Sequence, residues 1–145
     1  MKKKLFNAIC VFFIVNNVFA QTGVDIDKAV TDLTRRALTY VTKDEYDNAI
    51  ADFTQAIKLN PNDATLYINR GTVYSLKKDY DRAILDYNQA IKLEPGISSG
   101  YKNRGIAYSE KKDYDLAIEN FSQVLRMDPN DKENGRKVKE WGIRN

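Results

Sequence analysis

The side chains able to do chemistry in this chain are carboxylates, lysines, arginines and tyrosines, because the 145 residues contain no histidine and one cysteine, Cys10. Without His, and with Cys10 inside a leading apolar segment, there is no imidazole or thiolate set for zinc and no Ser-His or Cys-His nucleophile. Proton transfer would fall to Asp, Glu, Lys or Tyr, and no glycine-rich phosphate loop or metal-ligand cluster gathers them. The sequence therefore predicts no catalytic residue, no cofactor and no metal. The most regular ionic feature is a column, Arg36, Arg70 and Arg104, with Asp52 and Asp86 as acids on a parallel spacing and Asn120 in the third place. Pairing each acid with the arginine of the following unit, Asp52 with Arg70 and Asp86 with Arg104, makes acid and base end together, at Asn120 and Val138. Inter-repeat salt bridges are the expectation.

Charge narrows the partners. The chain carries 23 basic and 20 acidic side chains, a formal +3, and Lys2, Lys3 and Lys4 account for all of the excess. From residue 21 onward, 23 − 3 = 20 bases face 20 acids. A phosphate backbone is recognised by a surplus of cations that displaces counterions. Nucleic acid is not an expected partner.

The first twenty residues read as an address. Met1–Lys4 is a charged start, Ala8–Val15 is an unbroken apolar run, and Val18 and Ala20 fit a signal-peptidase site. Cleavage after Ala20 is expected, leaving Gln21 first. The apolar run is too short to cross a bilayer, which needs about 20 residues, and Asn7, Asn16 and Asn17 flank it. No stable membrane anchor is expected after cleavage. The mature protein would be periplasmic or secreted, with the style of the signal pointing to a bacterial source. Residues 21–29 form a polar lead-in outside any repeat.

Beyond that point the chain repeats every 34 residues. Pro61, Pro95 and Pro129 mark the period, and so do Ala49, Ala83 and Ala117, Tyr46, Tyr80 and Tyr114, and Tyr40, Tyr74 and Tyr108. Gly71 and Gly105 keep the interval, with Ala37 before them. Within a unit, Tyr67, Gly71 and Tyr74 share one helical face, and Tyr80, Ala83, Ile84, Tyr87, Ala90 and Ile91 form a second amphipathic stripe. Lys77-Lys78-Asp79 separates the stripes, with Asp79 placed to cap the second helix. Pro95 ends that helix because it has no N–H to donate and disfavours helical geometry in the residue before it. Each unit is then a helical hairpin, with Gly71 and Ala83 thinned where its helices meet and the tyrosines as core.

These motifs resemble the tetratricopeptide repeat family. Its pattern reads here as Tyr67-x-x-x-Gly71-x-x-Tyr74, Ala83-x-x-x-Tyr87 and Pro95, then Tyr101, Gly105, Tyr108, Ala117, Phe121 and Pro129, with Leu33, Ala37, Tyr40, Ala49, Phe53 and Pro61 before them. Val124 departs from the small residue at Ala56 and Ala90, and Met127 from Leu59 and Leu93. The resemblance implies an all-α, right-handed superhelical α-solenoid of three hairpins, residues 30–63, 64–97 and 98–131. A C-terminal capping helix over 132–145 would close the last unit, since a solenoid end needs a polar outer face. Its charge, five bases against two acids, reads as a solvated face.

The resemblance further implies a protein-interaction module whose first helices line a concave groove for a protein or peptide. Its groove positions would be Thr34, Arg35 and Leu38; Ile68, Asn69 and Thr72; and Lys102, Asn103 and Ile106. Some relatives grip a C-terminal carboxylate with one Lys and two Asn; Asn69 and Asn103 fit such places, whereas Thr34 and Leu38 leave the grip incomplete. The alternative is a structural protein that acts by self-association through its groove or end helix.

Overall fold

The computed structural model describes residues 25–142, apart from the side chain of Trp141; the expected signal segment lies outside the described residues. Seven helices follow one another: α1 over residues 25–41, α2 Tyr46–Leu59, α3 Ala64–Leu76, α4 Tyr80–Leu93, α5 Ser98–Glu110, α6 Tyr114–Met127 and α7 Lys132–Gly142. They form three hairpins, α1/α2, α3/α4 and α5/α6, closed by α7 against α6. Residues 25–29, expected as lead-in, are the first turns of α1.

Local chemistry sets the helix ends. Asp63 accepts from the Thr65 amide at 2.8 Å and Asp79 from the Arg82 amide at 3.1 Å, supplying donors at the starts of α3 and α4 with partners. Asp113, in the place of Asp79, makes no such side-chain bond. The turns inside the hairpins carry a feature the pattern did not signal. Asp44, Lys78 and Lys112 are left-handed, with φ of 59°, 62° and 66°, a conformation glycine adopts at least cost. The turn is kept by backbone bonds, such as that from the Asp79 amide to the Tyr74 carbonyl at 2.9 Å, and its repetition in all three hairpins shows that the register demands it.

The core is built from the columns that gave the period. Ala49, Phe53, Ala83, Tyr87, Ala117 and Phe121 are at most 1% exposed. Gly71 and Gly105 let the helices approach: a Cβ on Gly71 would lie 2.8 Å from the Tyr87 ring and 3.2 Å from the Ala83 carbonyl, and one on Gly105 would lie 3.1 Å from the Phe121 ring.

The arginine column corrects the expected ladder. Arg36 binds Asp52 through Nε and Nη2 at 2.6 and 2.7 Å, and Arg70 binds Asp86 at 2.8 and 2.7 Å, so each pair lies within its own unit. The same guanidinium reaches the preceding unit with Nη1, Arg70 to Thr54 at 3.0 Å and Arg104 to Asn88 at 2.6 Å. Arginine is suited to this double duty because its donors fork in one plane. A salt bridge between units does exist, but at the turns: Lys77 pairs with Asp47, and Lys111 pairs with Asp81 at 2.5 Å. Asp81 beside it holds the Lys111 ammonium above its ordinary pKa.

Asn120 gives the third arginine only one oxygen, at 2.8 Å from Arg104 Nε, and donates its own amide to the Leu116 carbonyl at 2.7 Å. Asn120→Asp should restore the two-oxygen pair of the other units and raise stability by about 1 kcal/mol. Urea unfolding checks it; no gain would mean that losing the bond to Leu116 outweighs the new charge pair.

The ends of the array differ from its interior. Where Leu66 and Val73 are buried against the preceding unit, α1 carries Asp32 and Thr39, both exposed, so the first helix turns a polar face outward. At the other end Asp131 caps α7, accepting from the Asn134 amide at 3.0 Å and its side-chain nitrogen at 2.7 Å, and Glu133 holds Lys137 at 3.0 Å and Lys102 at 3.3 Å. The Asn134 amide holds Asp131 below the ordinary carboxylate pKa, and Lys137 with Lys102 does the same for Glu133. Lowered pKa values mean stabilisation that is complete above the unfolded values and lost as pH falls through the folded ones. Amide protection factors in α7, corrected for intrinsic exchange, should therefore fall below about pH 4, ahead of those in α3. Uniform loss of protection would contradict this.

Candidate functional site

The first helices α1, α3 and α5 pack on their own second helices and on their neighbours, and the stripe left over is what they offer. Arg35, Leu38, Thr72 and Ile106 are exposed on it, Leu38 by 49% and Ile106 by 37%. Thr34, Asn69, Lys102 and Asn103 are half-buried. Ile68 is a correction: it is 8% exposed and packs with Ala64 and Ala90, so it supports the surface from beneath and is not offered to a guest.

Neighbouring first helices are joined across this stripe. Asn103 Nδ2 donates to Thr72 Oγ1 at 3.4 Å, and Thr72 donates to the Ile68 carbonyl at 2.8 Å. Such a long, exposed bond leaves the Asn103 amide easy to recruit. Asn69, one unit earlier, has Leu38 and no hydroxyl 31 residues before it and makes no side-chain hydrogen bond among the described residues. At the α1 end, Thr31, Leu38 and Thr42 line an apolar depression of about 460 Å³ with Arg35 at its side. Arg35 donates to Asp32 at 2.8 Å, and Thr34 Oγ1 is buried without a partner among the described residues.

Charge on the stripe is more balanced than the sequence positions alone implied. Lys102 is held by Glu133 of α7, a residue the groove positions omitted. The signal was available: contacts between successive first helices fall 31 residues apart, as Thr72 to Asn103 and Lys102 to Glu133 do. A period of 34 hides that offset. The site thus offers amide donors and acceptors flanked by exposed aliphatic groups, a chemistry for binding chains and not for breaking bonds. Among the described residues no group of three or more acidic side chains could hold a metal, and no helix is long and apolar enough to cross a membrane.

The sequence pattern described as tetratricopeptide repeat matches residues 64–96 and 98–131, and a second one, described as TPR repeat, matches residues 37–78. The chain belongs to the tetratricopeptide repeat family. Solved structures agree on the fold. The second such domain of human RPAP3, in complex with the HSP70 peptide SGPTIEEVD, superposes with a TM-score of 0.74 at 24% identity, covering 81% of this chain and 98% of that one. The TPR2B domain of yeast Sti1, in its pHsp70 complex, gives 0.73 at 24%, and the Arabidopsis OM64 domain 0.75 at 23%, each again covering 81% and 98%. No curated protein matches the sequence. The tetratricopeptide domain is a non-catalytic protein-interaction module, and here it comprises three hairpins and a capping helix.

Proposed function

We propose that this tetratricopeptide protein binds an extended peptide segment of another protein along the stripe formed by α1, α3 and α5, and that it does so outside the cytoplasm, after loss of residues 1–20. The observation that carries the groove reading is the unused amide of Asn69 and the weakly held amide of Asn103, one unit apart between exposed Leu38, Thr72 and Ile106. Two amides at one repeat's spacing can bracket a peptide main chain while aliphatic guest side chains cover Leu38 and Ile106. The human RPAP3 and yeast Sti1 domains hold their peptides on the same scaffold. Those guests need not be this protein's guests, because Thr34 and Leu38 do not complete a carboxylate grip here.

A photoreactive residue placed at Thr72 or Ile106 should crosslink a partner in the source cells, and one at Leu85, which is 66% exposed on α4, should not. Loss of the adduct in an Asn69→Ala, Asn103→Ala variant would support the groove; equal yield from position 85 would contradict it. Export rests on the charged start, apolar run and Ala20. The purified protein should begin at Gln21, and an intact Met1 terminus would contradict this reading.

A further inference from the structure

The last helix stands in the register of a first helix. Thirty-four residues after Ser98, Tyr101 and Gly105 of α5 come Lys132, Gly135 and Lys139 of α7. In α3 and α5 this face is covered by the unit's own second helix, with Gly71 against Tyr87 and Gly105 against Phe121. In α7 nothing among the described residues covers it. What remains is a depression of about 690 Å³ lined by half-buried Leu125 and Val138, by exposed Pro129, and by exposed Lys132, Arg136 and Lys139.

The three cations lie at i, i+4 and i+7, one stripe of the helix. Among the described residues none of them pairs with a carboxylate, whereas Lys137, on another side of α7, is paired with Glu133. Asp131 also lines the depression as an anion, its carboxylate bonded to Asn134 at the start of α7, so three cations stand against one acid there. A purely solvating surface mixes signs; this one gathers three like charges over recessed aliphatic carbon.

We propose that this surface seats an acidic amphipathic helix of a partner protein, lying alongside α7 where a fourth unit's second helix would stand. The seat is helix-shaped because the chain builds the same seat twice and fills it with α4 and α6. The occupant is acidic because Lys139 replaces Gly71 and Gly105. Any side chain at this place meets both the ring, 2.8 Å from the missing Cβ of Gly71, and the facing backbone, 3.2 Å away at the Ala83 carbonyl, so the occupant stands farther from α7 than α4 does from α3, and Lys139 reaches across to it. A carboxylate at that place pairs with Lys139, and a second one, at the place of Ala90 or Val124, meets Lys132. An anionic membrane is the poorer fit, since its insertion uses apolar groups that project and Leu125 and Val138 are half-buried behind the cations. This site adjoins the groove stripe at Arg136, 34 residues after Lys102, but does not rest on the groove reading.

The test uses a fluorescent helix with the sequence of α6, stapled on its solvent side, with Glu at the places of Phe121 and Val124, titrated into the full chain. It should bind about tenfold more tightly than its Gln counterpart and weaken with salt. Lys132→Glu with Lys139→Glu should abolish that preference, and a probe with Lys at both places should then bind the variant. Asn69→Ala with Asn103→Ala should leave the affinity unchanged. Equal binding of Glu and Gln probes, insensitivity to the charge reversal, or loss in the Asn69/Asn103 variant would each overturn the proposal. So would co-sedimentation with phosphatidylglycerol vesicles by a protein that ignores the probe.

Discussion

Asp86→Ala is expected to destabilise the protein by about 2–3 kcal/mol, among the largest losses from removing a single polar side chain. The carboxylate is 5% exposed and takes two bonds from Arg70, whose side chain is 18% exposed, so truncation strands a largely desolvated guanidinium. A guanidinium keeps its proton at any accessible pH even without its partner, so the arginine cannot escape by becoming neutral. The equivalent Asp52→Ala should cost less, because Arg36 is 58% exposed and water replaces the lost partner. A double-mutant cycle on unfolding free energies decides the pairing: Asp86 should couple strongly to Arg70 and be nearly additive with Arg104. Strong coupling to Arg104 would reinstate the pairing between units.

Gly71→Ala should cost about 1 kcal/mol net although alanine is the better helix former. A methyl group at this position gains about 1 kcal/mol of helix propensity. It also meets the Tyr87 ring at 2.8 Å and the Ala83 carbonyl at 3.2 Å. The ring is 1% exposed and the carbonyl is backbone, so neither yields without parting α3 from α4, and overpacking of this kind costs about 1–3 kcal/mol. Gly96→Ala is the control: nothing lies within 4 Å of its would-be Cβ and its φ is not positive, so the change should be close to neutral. Thermal unfolding of the two variants side by side reads the difference. Equal behaviour would show that the close approach at Gly71 does not limit packing.

The hairpins were legible because their causes are local and recur. A proline that cannot continue a helix, a small residue where two helices touch and an aromatic beside it leave the same trace three times. The partners of the arginines were less legible. Two pairings of Arg70 agree with the sequence spacing, and only the packing angle of α3 on α4 decides that Asp86 is reached by Nε and Nη2 while Nη1 crosses to Thr54. The left-handed residues Asp44, Lys78 and Lys112 were hidden because none is glycine. Burial of Ile68 was missed for a related reason: a groove position assigned by register ignores the rotation that turns this side chain toward Ala90. Glu133 escaped because contacts between first helices follow an offset of 31 residues and not the period.

Peptides selected from a random library on the full chain, and then followed by amide NMR, test the central claim most directly. Binding in the groove predicts that the largest shifts fall on Asn69, Thr72, Asn103 and Ile106, with loss of affinity in the Asn69→Ala, Asn103→Ala variant. Shifts concentrated on the outer faces of α2, α4 and α6, or affinity untouched by that variant, would contradict it.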